Sequence, residues 1–302
     1  MTYKTILVTG ATGFIGRNFC IAAKKKGYDI IALSRNKSYA KYQLPDTTII
    51  TSLDELPSKT IINYVLNLAG EPLVAGRWNE KLKSSFIDSR LGVTNDLFKH
   101  FTIRGVHPEV VISGSAVGYY GAGDDNFIDE ASEPKNSFSQ HLCALWEKSA
   151  SNFQSLGSRV CYLRTGIVLG EGEGALKRMI PAFKMGLGGK LGSGKQWFPW
   201  IHIEDQINLI FHCFEKTDLS GAVNACSPNP ITNSDFTYTL GRVLSRPIFF
   251  NMPSAIAILV FGEMASELLL TGQRAIPKKA IDSGFRFNHE HIQEALEHIL
   301  TN

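Results

Sequence analysis

An apolar, β-branched run at residues 4–9 leads straight into Gly10-Ala11-Thr12-Gly13-Phe14-Ile15-Gly16, and a helix-like segment at 14–26 follows without a break. A strand, a glycine turn and a helix in that order leave little freedom in how the chain begins to fold. Glycines let the backbone take up φ > 0 and let an anion approach with no Cβ in the way, while the helix N-terminus offers unpaired N–H groups. A second apolar run at 28–34 completes a βαβ unit. The pattern predicts a dinucleotide site, with Gly10, Thr12, Gly13, Phe14, Ile15 and Gly16 against the pyrophosphate.

The rhythm continues. Apolar runs at 61–68, 109–113 and 159–164 alternate with helix-periodic segments at 80–101 and 139–156. Short apolar strands joined by long helical crossovers predict an α/β fold, a Rossmann-type doubly wound parallel sheet covered on both faces. After Gly170 the texture changes to a glycine-rich stretch at 186–194 and an aromatic one at 197–200, and the rest is mostly helical with a strand candidate at 247–251. The expected division is a dinucleotide-binding domain at 1–170, with 200–230 returning to it, and a smaller substrate lobe from 171–199 and 231–302.

A length of 302 residues and a formal net charge of +3 provide for a large core and give no basic face of the kind nucleic acid requires. The five cysteines are widely spaced and mostly lie in apolar segments, which predicts buried free thiols in a reducing compartment. Nothing reads as a secretory leader, and the most apolar stretch, 256–270, is interrupted by Glu263 and Glu267. A cytoplasmic protein with a small-molecule partner, no membrane and no nucleic acid is expected; the oligomeric state is open.

The second strand ends in Ser34-Arg35, with no Asp or Glu at its tip. An acidic residue there would accept hydrogen bonds from ribose hydroxyls, whereas an Arg pairs with a 2′-phosphate. NADP is the predicted cofactor. In Asn67-Leu68-Ala69-Gly70 the small residues suit a cofactor running past a strand end, and Asn67 is either a ligand or a brace for neighbouring backbone.

Together with Ile112-Ser113-Gly114-Ser115, Leu163-Arg164-Thr165-Gly166 and Trp200-Ile201-His202, these motifs resemble the extended short-chain dehydrogenase/reductases. Gly76-Arg77-Trp78, Ser89-Arg90, Trp146-Glu147, Phe198-Pro199-Trp200 and the tail Gly272-Gln273-Arg274-Ala275-Ile276-Pro277 narrow the resemblance. They are similar to the atypical sugar-nucleotide-epimerase-like (YfcH-like) branch, sometimes labelled a cell-division inhibitor, with its C-terminal domain of unknown function. The resemblance implies Ser34 and Arg35 at the 2′-phosphate, Leu68, Ala69 and Gly70 along the cofactor, and Arg90 and Glu147 as further contacts. A nucleotide sugar is the implied substrate class.

Ordinary members of that superfamily pair a Ser with Tyr-x-x-x-Lys, since the ammonium lowers the phenol pKa and the phenol exchanges a proton with substrate. Ser115 fits the serine. The following helix carries Leu142 and Trp146 at the pair's spacing, and neither transfers a proton. Tyr119 or Tyr120 from the next loop, His202, or Glu147 would have to replace them, each with a structural role as its rival. Arg164 either holds an anion or pins the sheet end, Asp205 is a candidate helix cap, and the loop at 186–194 is either a diphosphate cover or a connection. Trp197, Phe198 and Trp200 suit a planar ligand or an inter-lobe hinge. Two functions follow, an NADP-dependent epimerase or oxidoreductase acting on a polar alcohol or carbonyl, and a non-catalytic NADP sensor or scaffold.

Overall fold

The computed structural model describes residues 4–74 and 76–301. The chain forms β1 (Thr5–Thr9), α1 (Phe14–Lys25), β2 (Asp29–Leu33), α2 (Lys37–Gln43), β3 (Thr48–Ile50), β4 (Tyr64–Asn67), α3 (Glu80–Arg104), β5 (Val110–Ala116), α4 (Phe138–Ser151) and β6 (Arg159–Thr165). The short α2 and β3 are absent from the periodicity reading; Asn36 caps α2, accepting from the Tyr39 N–H. The helix expected at 139–156 is α-helical only to Ser151 and then tightens into a 3₁₀ turn.

Three short strands follow, β7 (Ile167–Leu169), β8 (Gly189–Leu191) and β9 (Trp197–Phe198), with α5 (Gly174–Lys184) after β7. Next come β10 (Trp200–His202), α6 (Ile203–Glu215), β11 (Gly221–Ala225), β12 (Ile231–Thr232), α7 (Asn233–Val243) and β13 (Phe250–Met252). The last elements are α8 (Ser254–Phe261), a π-helical turn at Ala265–Leu269, α9 (Lys278–Asp282) and α10 (Ile292–Thr301).

Seven strands make one parallel sheet in the order β11-β6-β5-β4-β1-β2-β3. Alternate residues of each central strand enter opposite cores: Ile6, Val8, Leu66 and Ile112 pack with α1 and α6, whereas Leu7, Val65 and Val111 pack with α3 and α4. That period of two, apolar on both faces, is why the strands read as continuous apolar runs.

Strand order reverses between β1 and β4, so their carboxyl ends flank the point where a doubly wound sheet opens a crevice. Beyond the sheet, β7 pairs with β10, β9 with β12, and β8 with β13. A further core gathers Phe183, Phe198, Trp200, Phe236 and Leu296 from α5, α7, α10 and these short strands. All five cysteines are buried and free. Among the described residues no helix is long and apolar enough to cross a membrane.

Candidate active site

The glycine turn lies at the reversal point. Gly10 has φ 65°, and a Cβ there would stand 2.7 Å from the Leu68 carbonyl oxygen; one on Gly16 would collide with the Gly10 carbonyl. Gly13 is the N-cap of α1, with no side-chain cap and no acidic residue in the first turn. The first N–H groups of the helix are thus left for an anion. Thr12 is half-buried and Gly13 exposed beside them. Phe14 turns toward Gly170 and Gly174, and Ile15 packs on the core.

At the tip of β2 the Arg35 side chain is 92% exposed and meets Glu71 at 3.2 Å. Ser34 Oγ donates to the Asn36 carbonyl at 3.4 Å. A surface pair of this kind contributes little to stability, so the guanidinium can be redirected to a phosphate. Lys81, Ser84 and Ser89 share the Arg35 groove, and Leu33, Ser52 and Leu53 line a second depression that runs along the same helix, α3, past Val93 and Asp96. Among these residues beyond β2 only Ser89 stands in a motif read from the sequence, Ser89-Arg90; Lys81 and Ser84 also lie on α3, and Ser52 and Leu53 follow the unassigned β3.

Asn67 is a brace. Its Oδ1 accepts from Thr9 Oγ1 at 2.6 Å, and its Nδ2 donates to Thr94 Oγ1 at 2.8 Å. Thr9 Oγ1 in turn accepts the Ala69 N–H at 3.1 Å, which shapes the Leu68-Ala69-Gly70 turn. Arg90 is buried rather than superficial, donates to the Phe86 and Glu71 carbonyls, and lies against both Gly70 and the Trp146 ring. It supports the wall of the crevice from behind.

Ser115 and Arg164 are cross-strand partners on β5 and β6, and α4 lays Glu147 over both. Ser115 Oγ donates to Glu147 Oε1 at 2.7 Å, while Arg164 donates through Nε and Nη2 to the two carboxylate oxygens at 2.8 and 2.9 Å. Arg164 Nη1 also donates to Tyr120 Oη at 3.0 Å, and that hydroxyl donates to Asn224 Oδ1 at 2.7 Å. All five side chains are buried. Burial opposes the charge on Arg164, yet the Glu147 bonds hold its pKa above the ordinary value. Burial raises the Tyr120 phenol pKa well above its usual range, outweighing Arg164, the opposite of what a catalytic phenol requires. Both Glu147 carboxylate oxygens are thus already engaged, by Ser115 and Arg164.

Leu142 and Trp146 are buried where the usual Tyr and Lys would stand. The Trp146 ring lies so close over Gly114 that a Cβ there would be 2.5 Å from it. Its indole N–H is buried and finds no acceptor among the described residues. Such an orphan is what a ligand group would satisfy.

His202 lies apart from this network. Its Nδ1 accepts the Glu204 N–H at 3.1 Å, making it the cap of α6, and its Nε2 meets His298 Nδ1 at 3.2 Å. Asp205, the expected cap, instead accepts the Asn288 and His289 N–H groups. His289 lies over His202 with centroids 3.7 Å apart and ring planes tilted by 30°. The three imidazoles are close enough to hold a metal ion, but His202 Nδ1 already accepts the Glu204 N–H, His202 Nε2 meets His298 Nδ1, and His289 Nε2 meets Glu204. The trio clasps the C-terminal segment to α6.

Burial, then the neighbouring His289, depresses the His202 pKa to about 4 from 6.5. The unfolded chain takes up this proton below about pH 6.5 and the folded chain only near pH 4. Its contribution to stability is therefore complete above pH 6.5 and is lost as pH falls to about 4, by about 2 kcal/mol after allowance for solvent screening. Urea midpoints at pH 7 and pH 4.5 should differ less for His202→Gln than for the parent; an equal acid loss would show that His202 is not the group responsible.

The aromatic segment is structural as well. Phe198 stacks on Phe236 at 4.1 Å, Trp200 is buried, and Trp197 donates to Asp125 beneath the Arg274 guanidinium. The loop at 186–194 is not free connection, because β8 within it pairs with β13.

Residues 6–226 match the NAD dependent epimerase/dehydratase family, and residues 252–299 match a domain of unknown function, DUF1731. The epimerase family protein YfhF of Bacillus subtilis (strain 168) is 35% identical, over 98% of each chain. The crystal structure of human epimerase family protein SDR39U1 with NADPH is similar at TM-score 0.88 and 32% identity, over 99% of each chain. A UDP-glucose 4-epimerase from Thermotoga maritima, solved with UDP-glucose, shares the fold at TM-score 0.78 and 18% identity, over 98% of this chain and 97% of that one.

Proposed function

The chain belongs to the NAD dependent epimerase/dehydratase family, and on that premise we propose that it binds NADP(H) in the crevice and interconverts an alcohol and its carbonyl, as an epimerase or oxidoreductase. The observation that carries this is the glycine cradle at the strand-order reversal, with Arg35 exposed at the tip of β2 in a surface pair with Glu71. The residues fit the group. Gly10, Thr12, Gly13, Phe14, Ile15 and Gly16 would hold the pyrophosphate, Ser34 and Arg35 the 2′-phosphate, and Leu68, Ala69 and Gly70 the middle of the molecule. When bound, the nicotinamide supplies a hydride donor or acceptor. The NADPH in the human relative supports the choice of cofactor.

Ser115 is the proposed catalytic hydroxyl. Its proton is directed to Glu147, so its oxygen lone pairs are available to a substrate hydroxyl. Glu147 and Arg164 act as positioning residues rather than cofactor ligands, Tyr120 as a strut, and His202 as a clasp remote from the chemistry. UDP-sugars in neighbours of the same fold make a nucleotide sugar one substrate class to screen. Buried Leu142 and Trp146 favour a second reading, a protein that holds NADP(H) without turning it over. A screen of alcohols and carbonyls for change in reduced-nicotinamide absorbance, with product analysis for epimerisation, separates the two. Tight NADPH binding with no conversion of any compound decides for the second.

Arg35→Ala should weaken NADPH binding about 10- to 100-fold, as expected for losing one charge-assisted phosphate contact, and leave NADH binding nearly unchanged. Equal effects on both cofactors would remove Arg35 from the 2′-phosphate.

A further inference from the structure

A cavity of about 410 Å³ lies between α5, β8, β13 and the start of α8. Its walls include Met179 and Phe183 from α5, Leu191 from β8, Phe250 and Met252 from β13, and Ile256 from α8. Asn233 and Asn251 are its polar side chains, and Asn233 Oδ1 is already taken by the Leu191 N–H at 2.9 Å. Among the described residues no Lys or Arg lines it. The volume suits a small molecule, but a diphosphate placed there would meet no charge to offset its desolvation.

Both walls reach back to the crevice. At its start α5 packs Gly174 against the Phe14 ring and is tied to α1 through Glu173 and Arg17 at 2.7 Å. Further along, Arg178 donates to the Val74 carbonyl at 3.2 Å, and on the other side Arg77 donates to the Leu259 carbonyl of α8 at 3.3 Å. Val74 and Arg77, which follow β4, are thus each held by one wall of the cavity. Phe250 and Ile256 remain half exposed at its rim, apolar surface that a covering hydrocarbon would remove from water.

We propose that this cavity is the subsite for the non-reacting part of the substrate, and that this part is an uncharged hydrocarbon chain rather than a nucleoside diphosphate. The proposal rests on the reading above for the reacting end alone, an alcohol or carbonyl directed to the crevice.

The test is titration of the full chain with N-phenyl-1-naphthylamine, an uncharged apolar fluorophore, with and without NADPH. Saturable binding of one probe per chain is expected, reversed by decanol and decanal but not by UDP or UDP-glucose at millimolar concentration. Met179→Glu and Ile256→Glu should each weaken it at least tenfold while NADPH affinity is unchanged, which also reports that the variants fold. Leu259→Glu, on the outer side of α8, should leave it unchanged. Displacement by UDP, or equal weakening by Leu259→Glu and Met179→Glu, overturns the proposal. Loss of NADPH binding with probe binding intact overturns the cofactor reading alone.

Discussion

Gly16→Val should lose NADPH binding by at least 100-fold and melt well below the parent. The added Cβ would collide with the Gly10 carbonyl and stand 2.9 Å from Ala11 Cα, both backbone atoms of the turn that the ligand is to occupy. No rotamer relieves a clash with backbone, so α1 must move away from β1 and take its N–H groups out of line. Overpacking of this kind costs about 1–3 kcal/mol, and loss of the aligned N-terminus adds to the effect on binding. Gly92 on α3 is the control, since a Cβ there meets nothing within 4 Å. Gly92→Ala should leave binding intact and raise stability by up to about 1 kcal/mol. Isothermal titration and melting curves decide it; a Gly16→Val protein that still binds NADPH normally would mean that the turn is packing and not a site.

The second large effect is at Glu147. Replacing it with leucine leaves the Arg164 guanidinium buried opposite an apolar side chain and removes the acceptor of the Ser115 hydroxyl. Breaking one side of a buried pair costs about 3–5 kcal/mol, whereas replacing both sides with apolar groups is often close to neutral. Glu147→Leu alone should therefore lower the melting temperature by roughly 10 °C, and adding Arg164→Met should recover much of the loss. A double-mutant cycle measures the coupling. If the two single losses simply add, the pair is not what holds β5, β6 and α4 together here. In a catalytically competent chain, Glu147→Gln should lower turnover more than substrate affinity, because it disturbs the orientation of Ser115 and not the binding surface.

Much of the architecture was legible before any coordinates. Strand and helix periods located β1, α1, β2, β4, α3, β5, α4 and β6, because both faces of the sheet are covered and the positions packed into the two cores are apolar. The short α2 and β3 escaped, being too brief to show a period. The glycine turn and the Ser34-Arg35 tip of β2 stand where the chain order places them, because each depends on neighbours in the chain. Asn67 was not decidable, since the same strand end serves a ligand or a brace, and its partner Thr94 comes from α3. Glu147 stood out by motif, but its partners Ser115 and Arg164 come from two strands far off in the chain, and Asp205 looked like a cap until His202 proved to be one.

By itself, then, the sequence determined the doubly wound sheet and the glycine turn at its strand-order reversal, since periodicity and the φ freedom of glycine are local properties. Tertiary structure alone decided which charges meet and which spaces stay empty. Ser115 faces Arg164 through the β5–β6 register, Glu147 reaches both from α4, and the apolar cavity forms only where α5, β8, β13 and α8 converge. Pairing and enclosure depend on distances between segments far apart in the chain, and those distances are set by packing of the whole fold.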